Sequence, residues 1–525
     1  RMWYSLFLSL LVSVASAAKV AVFLSPFSNS HVIFTMRVAE ELARDHDVVI
    51  IRPNVNPSAS KIVSKHPRVR EIRAAGISED TFGEYKKLEK KLVWAEPSMS
   101  DFFAMSKGYQ TIFTGVCDDL ANDDVIMAKL RAEKFDFALA HHLDLCPVSI
   151  IRALEIPGYG FLLSIPLDRT HVSMVGIPML PSIYPALLAD WGNEMNFRQR
   201  FYNFLIETMM SSFGGNFMAK PLDGIMRSKF GDEFPGVMDL SKEAKFLIAN
   251  VHPDIDFPLP VTSKVSFIGG LGMSNESKPL EEPYASFVNS AKKVVFVSFG
   301  TVADPKMMPT SWKSAFVELF EKNPDVSFIW RMENNINVPK NVLRNTWHPQ
   351  NDILAHPKTA AFITHAGYNS LGESIASGTP LITVPLFGDQ FRNSRLAEYR
   401  GFGIRVEKSS MNYETLNEAL HKILDNPSYE KSAQSLRKIV FSSPVKAGDA
   451  LRHAVNFAIE FPDHNRDLPS LNLFQLYSLD MIALLVTIVV ATILFLRSTV
   501  FAVAVWLLKR TIGCIYVRVV KEKLA

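Results

Sequence analysis

The segment 347–390, WHPQNDILAHPKTAAFITHAGYNSLGESIASGTPLITVPLFGDQ, constrains this chain more than any other stretch. Residues 360–364 are a short apolar run bounded by Pro357 and the polar turn His365, Ala366, Gly367, which reads as a buried parallel strand. A helix must follow at once. Asn369 and Ser370 stand where it begins, Leu371, Ser374 and Ile375 give it an inward face, and Gly378 followed by Pro380 ends it. Residues 381–384 form the next strand, so the segment is one strand, helix, strand unit of an α/β fold.

The chemistry lies in what this unit turns outward. A helix N-terminus carries unpaired N–H groups and the positive end of the helix dipole, and His365, Gly367, Asn369 and Ser370 crowd that end with donors. A phosphate or diphosphate fits there. Glu373, one turn beyond Asn369 on the same side, suits the hydroxyls of a ribose, as the acidic residue of dinucleotide folds does. Asp389 and Gln390 follow the next strand at its carboxyl end and can bind sugar hydroxyls, while Trp347 offers a flat face for a base.

Over 362–390 the segment is similar, at every defined position, to the signature of the UDP-glycosyltransferases, the group that includes the animal UDP-glucuronosyltransferases. The resemblance implies that Trp347 and Gln350 hold uracil and the neighbouring ribose, Glu373 the ribose, His365, Asn369 and Ser370 the diphosphate, and Asp389 with Gln390 the sugar. The fold expected with it is GT-B: α/β, two Rossmann-like domains facing each other, donor in the C-terminal half and acceptor in the N-terminal half. Ser298 and Gly300 close the strand that opens the second domain, where a hydroxyl and an approachable backbone can meet phosphate oxygens.

A chain of 525 residues is too long for one ordinary core, and its boundaries are marked by composition. Residues 1–18 read as a signal peptide, with a charged start, a short apolar run and a small-residue site. An acceptor domain over 19–255, a Pro- and Gly-rich linker over 256–290, a donor domain over 291–462 and a polar stem over 463–480 follow. A single transmembrane helix is expected over 481–508, then a basic tail over 509–525 that the positive-inside rule places in the cytosol. Lys521 and Lys523 resemble a dilysine retrieval signal, implying the endoplasmic reticulum membrane and a type I topology with lumenal catalytic domains; an ordinary basic flank is the alternative. Asn275 heads a glycosylation sequon. Asp254, Ile255, Asp256 mimics a metal motif of another glycosyltransferase fold, and in a Pro-rich stretch it reads as chance.

In the first domain, residues 19–24 read as a strand, 25–30 as a polar loop and 31–45 as a helix, which puts His31 at the mouth of the sheet. A neutral imidazole there can take a proton from an acceptor hydroxyl; a solvated helix cap is the plain alternative, and the resemblance places the catalytic base at His31. It also implies an aspartate after the strand 135–140 to orient that base, but the position holds His141, followed by His142 and Asp144. Either Asp144 substitutes, if the loop curls back, or the base works without a carboxylate. His141, His142, Asp144 and Cys146 can also be read as metal ligands, and a Cys117 to Cys146 bridge stays open.

The aromatic residues of 158–250, Tyr159, Phe161, Tyr184, Trp191, Phe197, Tyr202, Phe204 and Phe213, are read mostly as core, with some lining an acceptor pocket. Arg392 and Arg395 could meet a glucuronate carboxylate but do not decide between glucose and glucuronic acid. The expected protein is a membrane-bound inverting transferase of hexosyl groups, with no metal or other cofactor. Its expected partners are a UDP-sugar, a small lipophilic acceptor and the lipid bilayer, with a homo-oligomer left open; the net charge of +3 gives no footprint for nucleic acid. A sugar-nucleotide-binding or regulatory protein impaired in catalysis at His141 is the second reading, and a membrane receptor the third.

Overall fold

The computed structural model describes residues 17–525 apart from 97, 179, 187–188, 211–214, 275, 333–335, 465, 470 and 525. Nearly all of the expected leader, and Asn275, lie outside the described residues. β1 (Lys19–Phe23), β2 (Asp47–Pro53), β3 (Val69–Ala74), β4 (Phe137–His141), β5 (Tyr159–Leu163), β6 (Leu247–Ala249) and β7 (Val265–Phe267) form one sheet in the order β3-β2-β1-β4-β5-β6-β7. β8 (Lys293–Ser298), β9 (Val326–Arg331), β10 (Val342–Asn345), β11 (Thr359–Thr364), β12 (Leu381–Thr383) and β13 (Gly403–Arg405) form a second, in the order β10-β9-β8-β11-β12-β13. Every pairing is parallel.

Parallel strands covered on both faces read as continuous apolar runs, and the two central strands show why. Val20 and Val22 of β1 face one layer of helices while Ala21 and Phe23 face the other. In β8, Val295 and Val297 enter one cluster and Val294 and Phe296 another.

The helices that matter for the site are α1 (Asn29–Leu42), α2 (Glu79–Trp94), α3 (Met99–Asn122), α4 (Cys146–Ala153), α5 (Arg169–Met174), α6 (Gln350–Leu354), α7 (Tyr368–Ser377), α8 (Gln390–Tyr399) and α9 (Ala447–Glu460). Cys117 on α3 and Cys146 at the start of α4 form a disulfide, so the pairing left open by the sequence is made. α2 reaches the second half, where Trp94 Nε1 donates to Asp304 O at 3.0 Å and Lys90 pairs with Asp304 at 2.8 Å.

Two elements sit elsewhere than the sequence suggests. β7 lies inside the expected linker and extends the first sheet beside β6, so the crossing to the second sheet begins only after Phe267. α9, read as part of the donor domain, buries Leu451, Ala454, Val455 and Ala458 in the first domain's core with Val20, Phe34 and Leu42. Periodicity shows that such a helix has an apolar face; it does not show which sheet the face covers.

Residues 467–525 form a unit of their own. It is dominated by α10 (Leu479–Leu524), in which an 18-residue window within Leu479–Val520 reaches a mean hydropathy of 2.7. At about 1.5 Å per residue this helix is far longer than the ~30 Å hydrocarbon layer, and it continues past 508 through the basic residues expected as a separate tail. It fits a single membrane span.

Candidate active site

In each sheet the strand order reverses at one place, between β1 and β4 and again between β8 and β11. Loops leaving adjacent strands at such a point diverge and open a crevice at the strands' carboxyl ends. A cavity of about 460 Å³ lies there. It is lined by His31 and by every residue expected to hold a UDP-sugar: Ser298, Gly300, Trp347, Gln350, His365, Gly367, Asn369, Ser370, Glu373, Asp389 and Gln390. The volume is that of an ordinary small-ligand site.

In the donor half, α7 starts at Gly367 with no side chain capping its first turn, so those N–H groups remain for a ligand. Asn369 also reaches the first half, donating to Ser30 O at 3.5 Å. Gln350 Nε2 donates to Glu373 Oε2 at 2.6 Å, which holds the expected ribose ligand in place. Burial raises the Glu373 carboxyl above its ordinary range. Asp389 is pushed up to about 6, also by burial, and its Oδ2 accepts from Asn393 Nδ2 at 2.7 Å. Gln390 Oε1 accepts from the N–H groups of Leu386 and Phe387 at 2.9 and 3.1 Å, so its amide nitrogen is what it has left to offer.

Two glycines clamp His365. A Cβ on Gly300, whose φ is +70°, would come within 2.6 Å of the ring, and so would one on Gly367. Burial, with the Arg331 charge second, pushes His365 down to about 4. It therefore enters the site as a neutral donor, and the positive charge beside it belongs to Arg331. That guanidinium lines the cavity, donates to Gly300 O and to Thr346 O, and stands 6.0 Å from the largely exposed Trp347 ring.

In the acceptor half, Ser28 Oγ caps α1 by accepting the His31 N–H at 3.4 Å, which holds His31 in the first turn beside the end of β4. Its ring centroid is 5.1 Å from that of His141. His31 Nδ1 and His141 Nε2 are both buried without a hydrogen-bond partner. Burial, then the Lys86 charge, pushes His31 down to about 4, so the imidazole is neutral at neutral pH.

The expectation that Asp144 could serve His31 is corrected. Its Oδ1 accepts the Cys146 N–H at 2.9 Å at the start of α4, burial pushes it up to about 7, and no hydrogen bond or ion pair joins it to His31. The residues weighed as metal ligands go four ways: His141 to His31, His142 to His171, Asp144 to the α4 backbone and Cys146 into the disulfide.

Other expectations change as well. Tyr159, Phe161 and Tyr184 are core, Phe197, Tyr202 and Phe204 are exposed, Phe213 lies outside the described residues, and none of the other seven aromatics lines the cavity. Its apolar wall comes instead from Phe27, Ile33, Tyr109 and Ile165. Arg392 is fully buried against Asp256 at 2.8 Å and Arg395 binds Asp190 at 3.0 Å, so neither faces the sugar site. Asp256, half of the apparent metal motif, is thus taken by a structural ion pair. Sequence reading missed Arg331 and Ser164, each at the carboxyl end of a parallel strand, and that position was the available signal.

Two facing parallel sheets with a nucleotide-sized cavity across their switch points define a glycosyltransferase of the GT-B class. The structure resembles the glycotransferase of kitacinnamycin, with TM-score 0.59 and 17% identity over 84% of this chain and 98% of that one. It also resembles a UDP-glucosyltransferase from Polygonum tinctorium capable of glucosylating indoxyl, with TM-score 0.58 and 16% identity over 85% of this chain and 100% of that one. The chain belongs to the UDP-glucoronosyl and UDP-glucosyl transferase family, whose model it matches over residues 19–511. It is 30% identical to the putative UDP-glucuronosyltransferase ugt-47 of Caenorhabditis elegans over 504 residues, 89% of each chain. To UDP-glucuronosyltransferase 1A3 of Homo sapiens it is 29% identical over 502 residues, 93% of this chain and 92% of that one. Transfer of a glycosyl group from a UDP-sugar is the activity this family membership supports.

Proposed function

We propose that the protein moves a hexosyl group, glucose or glucuronic acid, from a UDP-sugar to a hydroxyl of a small lipophilic acceptor, with inversion at the anomeric carbon. One observation carries this reading: His31 and all eleven expected donor ligands line a single cavity. His31 takes the hydroxyl proton, the freed oxygen pair forms a bond to the anomeric carbon, and the bond from that carbon to the diphosphate breaks, its electrons leaving with UDP. The leaving charge meets the uncapped N-terminus of α7, Asn369, Ser370 and Arg331, with His365 as a neutral donor. This account of the leaving group uses no divalent ion. The apolar wall of Phe27, Ile33, Tyr109 and Ile165 supports a lipophilic acceptor.

The long apolar α10 supports a membrane-bound enzyme, and the basic residues Lys509, Arg510 and Arg518 support a cytosolic side there with the catalytic domains on the lumenal side. A second reading, a donor-binding protein with impaired catalysis, is favoured by one feature, the imidazole of His141 where a carboxylate is expected. The test is conjugate formation by detergent-solubilised full-length protein with a panel of UDP-sugars and phenols, with and without EDTA. Conjugate that forms equally in EDTA supports the first reading. UDP-sugar binding without conjugate supports the second, and turnover abolished by EDTA contradicts the metal-free leaving group.

A further inference from the structure

Behind the end of β4, a line of buried polar side chains takes no part in the account above. Asp168 caps α5: its Oδ1 accepts the His171 N–H at 3.2 Å, and its Oδ2 lies 2.5 Å from His171 Nδ1. His171 Nε2 lies 2.9 Å from His142 Nδ1, and His142 Nε2 lies 3.2 Å from Ser164 Oγ. Asp168, His142 and Ser164 are 1, 4 and 6% exposed. Ser164 lines the same cavity as His31.

The protons along this line follow from its first member. An ionised carboxylate only accepts, so His171 Nδ1 carries a hydrogen and, in a neutral ring, Nε2 carries a lone pair. His142 Nδ1 must then donate to it, which leaves His142 Nε2 as an acceptor. Burial and the neighbouring histidines hold His142 well below the usual imidazole range, in keeping with a neutral ring. Ser164 therefore gives its hydroxyl hydrogen to His142 and turns only lone pairs to the cavity.

We propose that Asp168, His171 and His142 are positioning residues that make Ser164 an obligate hydrogen-bond acceptor, so that the site selects acceptors with a second hydroxyl or N–H besides the one glycosylated. The proposal rests on the transferase reading of the cavity. β4 lies between β1 and β5, so the strand ends behind His31 and Ser164 are two strand spacings apart, about 10 Å. The second donor group thus sits across the acceptor molecule and away from the reacting hydroxyl.

Asp168→Asn tests the direction of the line. An asparagine caps a helix as well as an aspartate, and with its oxygen on the His171 N–H its NH2 faces His171 Nδ1. Every tautomer then reverses, and Ser164 becomes a donor. The measurement is the ratio of kcat/KM for a diphenol against its mono-methyl ether, in the full-length protein. We expect roughly a tenfold preference for the diphenol, the size of one buried hydrogen bond. Ser164→Ala should abolish it, and Asp168→Asn should shift it towards the ether. Wild-type ratios in both variants overturn the proposal.

A second readout needs no turnover. In ¹⁵N-histidine-labelled full-length protein, His142 and His171 should both be Nδ1-protonated, and both should change in Asp168→Asn. An Nε2-protonated ring at either position in the wild type overturns the relay. Tautomers as expected without transfer to any acceptor would strike the transferase reading and leave the relay standing.

Discussion

The ring of His31 stands 5.1 Å from that of His141, at the place where the proposed base would be served by a carboxylate. A neutral imidazole cannot balance the positive charge that His31 acquires on taking a proton. Burial, then the Lys86 charge, pushes His31 down to about 4, and the imidazole of His141 supplies no negative charge to oppose them.

His141→Asp should therefore strengthen the base. With a carboxylate beside it, protonated His31 gains a partner and its pKa rises. One unit is worth about 1.4 kcal/mol, so we expect kcat/KM to rise by roughly tenfold. A pH–rate profile of the variant checks this; an unmoved acid limb with an unmoved rate would contradict it.

The sign of the pH dependence follows from burial. A base works unprotonated, and His31 is pushed down from 6.5 to about 4 by burial and by Lys86. Activity should persist as pH falls through 6.5 and be lost only as it passes about 4. Asp389, raised to about 6, protonates on the way and should show itself in the KM for donor. Measuring kcat at saturating donor separates the two, and a kcat midpoint near 6.5 would show that His31 is not held as described.

Glu373 and Gln350 act as a pair. Glu373→Gln keeps the shape but removes the charge that is proposed to meet the ribose and that accepts from Gln350 at 2.6 Å. Hydrogen bonds to charged groups are worth about 1.5–3 kcal/mol, so the KM for UDP-sugar should rise roughly ten- to a hundredfold with a smaller change in kcat. Steady-state kinetics against donor concentration decide it.

Substituting either clamping glycine should displace His365. Gly300→Ala adds backbone strain at φ +70° to the steric clash, while Gly367→Ala adds the clash alone. Both should weaken donor binding, and Gly300→Ala should in addition cost stability of about 1–3 kcal/mol. Thermal unfolding of the two variants distinguishes these terms.

The expected donor ligands from His365 to Gln390 were legible because they are strung along one strand, helix, strand unit and the loop that follows it, where position in sequence is position in space. The alternation of strands and helices was legible because strands buried on both faces, such as 294–297, are unbroken apolar runs. The acceptor side was not. His142 and His171 meet at 2.9 Å from 29 residues apart, and no local pattern announces that contact. Asp144 looked able to reach His31 because sequence gives proximity without direction; the start of α4 takes its carboxylate. Arg392 could meet a glucuronate carboxylate by its place just after Gln390, yet its partner Asp256 comes from far away in sequence and holds it fully inside. α9 returns to the first sheet for the same reason, since an apolar face does not name its partner.

The central claim is that His31 activates the acceptor, and acceptor-dependent release of UDP tests it most directly. Solubilised protein should release UDP from its preferred UDP-sugar when a phenol is added, and His31→Ala should lose that release by about two to four orders of magnitude while still binding UDP. Release by His31→Ala at the wild-type rate would contradict the account.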